Sequence, residues 1–299
     1  MSNKILIISG PTATGKTTLA IKLAKKFNGQ LISADSRQIY KGMDIGTGKD
    51  HPKNIKIHLI NLINPDQPFS AADFQKLAFQ KIKEIHQKNK LPIIVGGTGF
   101  YIDSLINPNT QTFSIKPNNI LRFFLNKLPI NIIQFIFKLL DNKSFQQLNN
   151  SEKNNPHRLI RKIEIMFFNN KNTNNQHKIK LNYSIFHLSL IAPKEYLYEQ
   201  IDKRVDERLK LGLINEIKSL LTKYSWSDPG LNTLAYKEFK NYFNHQGKIG
   251  NATSRWKYGE HAYARRQFTW FKKRTTNTFD ITDKKYPHNI IKIISKWYN

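Results

Sequence analysis

The chain has 299 residues, 39% of them hydrophobic and 12% aromatic, which is enough apolar material for one large α/β domain or a main domain with a smaller one and excludes a disordered chain. Its 48 basic and 21 acidic residues leave a net charge of +27, a field that gathers polyanions such as RNA and makes their binding salt-dependent. It contains no Cys, so disulfides, zinc–thiolate sites and Cys nucleophiles are excluded together, in keeping with a reducing compartment.

No signal-peptide pattern precedes the first apolar run, and no run approaches the ~20 apolar residues of a membrane span, so the expectation is a cytoplasmic protein with no membrane segment. In chain order, residues 5–9 form a short apolar strand ending in a Gly-rich turn, and residues 18–27 follow with Leu19, Ile21, Leu23 and Ala24 at helical spacing. Residues 31–34 read as a second strand, 70–88 as an amphipathic helix, and 92–95 as a buried strand before the turn Gly96-Gly97-Thr98-Gly99. Strands alternating with helices predict a parallel sheet covered on both faces. Residues 107–155 change to an Asn-, Phe- and Ile-rich helical texture and are expected to be a small helical insertion, leaving 1–106 and 156–299 as the core. Within that second part, 156–170 reads as a helix, 171–182 as a polar loop, 185–190 as a strand, 196–221 as one long helix, and 256–273 as a basic, aromatic helix.

Gly10-Pro11-Thr12-Ala13-Thr14-Gly15-Lys16-Thr17 matches G-x-x-x-x-G-K-[ST], with the strand before it and the helix after it that the motif requires. Such a loop wraps phosphate oxygens with backbone amides, adds the positive end of the following helix and the Lys16 charge, and leaves the Thr17 hydroxyl for Mg²⁺. A nucleotide hydrolase built on this loop needs an acid at the end of a second apolar strand. Here the strand at 92–95 ends in glycines, and the acid is instead Asp35, directly after the second strand. At the carboxyl edge of an open sheet that residue stands beside the phosphate loop, as a Mg²⁺ ligand, a general base, or a plain turn-capping Asp.

Charge alone leaves an RNA-binding surface and a merely Lys-rich composition about equally open, because 38 of the 48 basic residues are Lys and the excess is spread over both halves. The 10 Arg residues are more informative, since planar bidentate phosphate contacts need the guanidinium. Residues 255–274 carry seven basic side chains and one acid among Trp256, Tyr258, Tyr263, Phe268, Trp270 and Phe271. That mixture suits phosphate grip with base stacking, and equally a solvated helix with core aromatics.

Several ordered motifs resemble the tRNA dimethylallyltransferase (tRNA isopentenyltransferase) family. They are the phosphate loop, the run from Ser33 to Thr47 (SADSRQIYKGMDIGT), His58-Leu59, FSAADF from Phe69, PIIVGGTGFY from Pro92, PHRLIR from Pro156, QIDKR from Gln200, LAYKE from Leu234 and ARRQFTW from Ala264. The resemblance implies a P-loop-type α/β fold and transfer of a dimethylallyl group from dimethylallyl diphosphate to N6 of the adenosine at position 37, on the 3′ side of the tRNA anticodon. It implies that the loop holds the diphosphate, with Thr12, Lys16 and Arg204 in contact, Mg²⁺ near Thr17, and Asp35 as general base. Asp35, Ser36, Arg37, Gln38 and Thr98 are implied to receive the adenosine. His157, Arg158, Leu159, Ile160 and Arg161, then Asn232, Ala235, Tyr236 and Lys237, then Arg265, Arg266, Gln267, Trp270 and Lys272 match its other tRNA-contacting segments. Six of the ten Arg residues, Arg37, Arg158, Arg161, Arg204, Arg265 and Arg266, fall inside these motifs. Arg208 stands one turn from Arg204, so both can face one anion, and an ordinary surface pair with nearby Asp and Glu is equally open for Arg208. Two departures stand out: Ala235 replaces a usual Gly, and the 107–155 segment is short against the family pattern. The chain is expected to act as a monomer. An adenylate isopentenyltransferase, a small-molecule P-loop kinase and a nucleotide-gated RNA-binding protein are the competing readings.

Overall fold

The computed structural model describes residues 3–50, 52, 55–110, 113, 115, 117–171, 182–275 and 277–298. Strands β1 (Lys4–Ser9), β2 (Gly29–Ser33), β3 (Ile57–His58), β4 (Leu91–Val95), β5 (Ser184–Ile191) and β6 (Thr278–Asp280) form one all-parallel sheet in the order β3-β2-β4-β1-β5-β6. The expected α/β class and the three early strands are found. Strand β1 sits between β4 and β5, which is why Ile5, Leu6, Ile7 and Ile8 form an unbroken apolar run: both faces of the strand are covered.

The chain divides into two compact units, Met1–Ile106 with Leu181–Asn299, and Asn107–Lys180. In the first, helices α1 (Lys16–Lys26), α2 (Ala71–Gln87) and α3 (Gly99–Ile106) follow the early strands. The second contains α4 (Asn119–Leu125), α5 (Ile130–Leu140), α6 (Asn142–Gln147), α7 (Asn150–Lys153) and α8 (Pro156–Lys171). The first unit resumes with α9 (Lys194–Lys210), α10 (Leu213–Leu221), α11 (Leu234–Lys237), α12 (Lys240–Phe243), α13 (Ile249–Lys272) and α14 (Tyr286–Tyr298).

One face of the sheet is closed by α1 and α14, whose Leu19, Leu23, Ile290 and Ile294 pack with Leu6, Ile8 and Ile93. The amphipathic α2 lies against β2 and β4, starting at Ser70, which accepts the Asp73 amide while Asp73 accepts the Ser70 amide. A second core joins Ile39, Tyr40 and Met43 to α9, α10, α11 and α13 through Val205, Ile217, Tyr236 and Trp256. Each Leu or Ile fully buried this way contributes about 1.5–3 kcal/mol against conformational entropy.

Two boundaries differ from the sequence reading. Residues 194–221 form α9 and α10 instead of one helix, because Gly212 adopts φ +99, a left-handed conformation no helix interior accepts. The insertion runs through residue 180, because Leu159, Ile160 and Ile163 of α8 pack with Leu125, Ile133, Phe137 and Phe145 in that unit's own core. The polar loop expected over 171–182 falls mostly on residues outside the described ones. No helix among the described residues is long and apolar enough to cross a membrane.

Candidate active site

Parallel register places three carboxyl ends together. Val95 of β4 aligns with Ile8 of β1 on one side and Ser33 of β2 on the other. The phosphate loop, Asp35 and the Gly96–Gly99 turn therefore leave the same edge, tied by the Gly96 amide to the Ile8 carbonyl (3.2 Å) and the Thr98 amide to the Ala34 carbonyl (3.1 Å).

They border a cavity of about 330 Å³, lined also by Arg204, Arg208, Glu260 and Tyr263. At its base Gly15, at φ +70, caps α1, whose first amides have no side-chain cap. Ala13 is held at φ +65, a left-handed backbone that costs an L-residue of order 1 kcal/mol and marks a loop shaped for something other than stability. The Lys16 ammonium donates to the Pro11 carbonyl and lies 3.5 Å from Thr14 Oγ1. Burial, and then Arg204, lower Lys16 to about 7, with Asp35 pulling the other way.

Asp35 Oδ1 accepts the Arg37 amide at 2.9 Å, a turn that fixes the carboxylate at the cavity wall. Thr98 Oγ1 accepts the Ser36 amide (2.9 Å) and is hydrogen-bonded to Tyr263. Arg37 donates to Glu260 at 2.8 Å and its guanidinium lies 4.0 Å from the Tyr263 ring centre. Against the pull of burial, Glu260 first, then Tyr263 and Asp35, raise Arg37 above its usual value. The Gln38 side chain ties Ser33 (2.9 Å) to the Gly48 carbonyl (3.3 Å).

The long helix α13 closes this side. Its buried stripe is Ala252, Trp256, Glu260, Ala264, Gln267 and Phe271, with two polar residues at positions where the spacing calls for apolar ones. Glu260 meets Arg37 and the Trp256 indole N–H (3.3 Å). Gln267 accepts the Thr12 amide and donates to the Gly97 carbonyl, both at 2.8 Å. Gln267 was expected against tRNA; it is a buried strut between the phosphate loop and the Gly-rich turn. Tyr263 joins the site as one of the stacking aromatics the sequence offers, whereas Glu260 is a site residue that motif reading misses; its available signal is a polar residue on a core stripe.

The outer segments are placed unequally. Asn232, Lys237, Arg265, Arg266 and Lys272 are exposed, as RNA contacts require, whereas Ala235 and Tyr236 are buried. Ala235 lies inside the helical turn α11, where Ala is at home without a glycine. The Tyr236 hydroxyl donates to Glu216 (2.7 Å), whose carboxylate also accepts the amides of Asp44, Ile45 and Gly46, a clamp the motifs gave no sign of. Trp270 packs on Gly99 under the Arg274 guanidinium, 3.9 Å from its ring. Of the proposed stacking aromatics, Trp256 and Phe271 are core residues and Tyr258 is largely exposed. In the other unit His157 and Arg158 are exposed, Leu159 and Ile160 are core, and Arg161 pairs with Glu164 at 2.8 Å.

Fold and cavity together define an α/β protein of the phosphate-loop class, with a basic cleft at the sheet's carboxyl edge. A family model described as IPP transferase matches residues 38–274, and the chain belongs to that family. The phosphate loop and Asp35 precede the matched stretch, but near-full-length relatives span them. A tRNA dimethylallyltransferase of Anoxybacillus flavithermus is 38% identical over 291 residues, 95% of this chain and 92% of the relative. Among solved structures, the full-length tRNA isopentenylpyrophosphate transferase of Bacillus halodurans aligns with a TM-score of 0.73 and 32% identity, over 99% of this chain and 96% of its own. A eukaryotic dimethylallyltransferase acting on tRNA aligns at 0.78 with 29% identity, over 94% of this chain and 75% of its own.

Proposed function

We propose that this chain is a tRNA dimethylallyltransferase that moves the dimethylallyl group from dimethylallyl diphosphate to N6 of the adenosine on the 3′ side of the anticodon, releasing diphosphate. One observation carries the mechanism: a single cavity is lined by the Asp35 carboxylate, the cations Lys16 and Arg204, and the glycines that follow β4. The adenine amino group is a poor nucleophile, so it must lose a proton to Asp35 as the allylic C–O bond breaks and the new C–N bond forms. The electron pair of the broken bond leaves on diphosphate. Its charge is spread over the loop amides, the positive end of α1, Lys16 and Arg204, the preorganised stabilisation that supplies most of a rate enhancement.

The acceptor adenosine has to leave its stack to reach Asp35. The Tyr263 ring and the Arg37 guanidinium beside Asp35 offer it a flat aromatic and cationic wall, while Ser36 and Thr98 fix the rim. Exposed Arg265, Arg266 and Lys272 on α13 suit the RNA backbone. A Mg²⁺ ion bound here would be held by the Thr17 hydroxyl, which lines the cavity at the start of α1, together with the diphosphate itself. That ion would add charge neutralisation on the leaving group.

The deciding experiment incubates the protein with dimethylallyl diphosphate and an anticodon stem-loop RNA, followed by digestion and mass detection of prenylated adenosine. Wild type should yield product and Asp35→Ala should lose about 10²–10⁴ in rate. No product from wild type, or undiminished turnover in Asp35→Ala, refutes the mechanism. Product on free AMP alone assigns the chain to adenylate prenylation.

A further inference from the structure

The cavity holds more positive charge than its own acids neutralise. Arg37 is paired with Glu260. Among the described residues, no carboxylate forms an ion pair with Lys16, Arg204 or Arg208. Arg204 and Arg208 lie on the same face of α9, one turn apart, and both line the cavity, sharing with Thr12 and Glu260 a recess beside the phosphate loop. Arg204 and Arg208 are like charges one turn apart, and burial, then Arg204, lowers Arg208 to about 10. Desolvation and a neighbouring like charge each disfavour a buried cation, a cost that a bound anion removes.

The backbone around Arg208 is cut to fit it. Its guanidinium lies against Gly48, where an added Cβ would overlap it, and Gly48 sits at φ +61. Among the described residues its one hydrogen bond to protein is long, 3.3 Å to the Gly46 carbonyl, so donors remain for a ligand. No acid faces it at ion-pair distance from α9, α13 or the 44–48 loop; Glu260 of α13 is engaged with Arg37 and Trp256.

We infer that Arg208 is a second diphosphate-binding guanidinium, extending the grip of Lys16 and Arg204 so that the leaving diphosphate is held from the phosphate loop to α9. This rests on the prenyl-transfer reading above. Planar guanidinium donors engage two phosphate oxygens at once, so the role is not one that Lys fills equally. A phosphate of the tRNA backbone has the same oxygen chemistry. The position of Arg208 in the recess with Thr12 and Arg204 favours the donor's diphosphate.

The test is calorimetric binding of inorganic pyrophosphate, with Mg²⁺ and without RNA, to wild type, Arg208→Gln and Arg208→Lys, paired with separate KM values for dimethylallyl diphosphate and for stem-loop RNA. Arg208→Gln should weaken pyrophosphate binding about 10–100-fold and Arg208→Lys less, with KM for the diphosphate donor rising and KM for RNA unchanged. Pyrophosphate affinity within twofold of wild type in both variants overturns the proposal, whether or not their melting temperatures fall. So does an effect confined to RNA. Failure of the prenyl-transfer reading is distinct: wild type then gives no prenylated RNA, whatever its pyrophosphate affinity.

Discussion

Glu216→Ala removes the acceptor of four hydrogen bonds at once, from the amides of Asp44 (2.7 Å), Ile45 (2.8 Å) and Gly46 (3.0 Å) and from the Tyr236 hydroxyl (2.7 Å). Each bond to a charged acceptor contributes about 1.5–3 kcal/mol, but water entering the half-buried gap recovers part of it, so the expected local loss is about 3 kcal/mol. At 1.4 kcal/mol per factor of ten, amide exchange over residues 43–47 should accelerate about a hundredfold, read by hydrogen–deuterium exchange with mass detection. Glu216→Gln, which keeps a carbonyl acceptor, should fall between, and Tyr236→Phe should cost about 1 kcal/mol. Because Thr47 and Gly48 line the cavity, Glu216→Ala should also raise KM for dimethylallyl diphosphate while leaving KM for RNA nearly unchanged. Exchange within threefold of wild type in Glu216→Ala would refute the clamp.

Lys16, lowered to about 7 when folded against 10.5 unfolded, gives the unfolded state the extra proton between those values, so its contribution makes stability rise with pH across that window. Pyrophosphate binding near pH 8.5 should then take up close to one proton, measured by calorimetry in buffers of differing ionisation enthalpy, and Lys16→Met should abolish most of that uptake. Gln267→Leu leaves the Thr12 amide and the Gly97 carbonyl unpaired at a buried site. About 1–3 kcal/mol of stability should be lost and KM for the diphosphate raised about tenfold, and a neutral result in denaturant unfolding and steady-state kinetics would count against the strut. The double variant Arg266→Ala with Lys272→Ala should flatten the slope of log affinity for stem-loop RNA against log salt by between one and two, leaving pyrophosphate binding intact.

Local chemistry made the phosphate loop legible in the sequence. A strand, a Gly-rich turn with Lys16 and a helix follow one another within about 25 residues, and such short-range motifs need no distant partner to be recognised. The same holds for the buried strands and for the amphipathic helix that follows Ser70. Periodicity could not find the break at Gly212, because one glycine inside an apolar pattern decides its conformation only once α9 and α10 pack separately. Nor could it separate exposed Asn232 from buried Tyr236, since both lie in one motif. Sequence by itself determined the class of fold, the loop and the carboxylate at Asp35. Only the tertiary structure decided what meets across distant segments: Gln267 with Thr12, Glu260 with Arg37, Glu216 with the 44–46 amides, and Arg208 against Gly48. These pairs are separated by far more residues than any local pattern spans, so parallel register and helix packing alone bring them together.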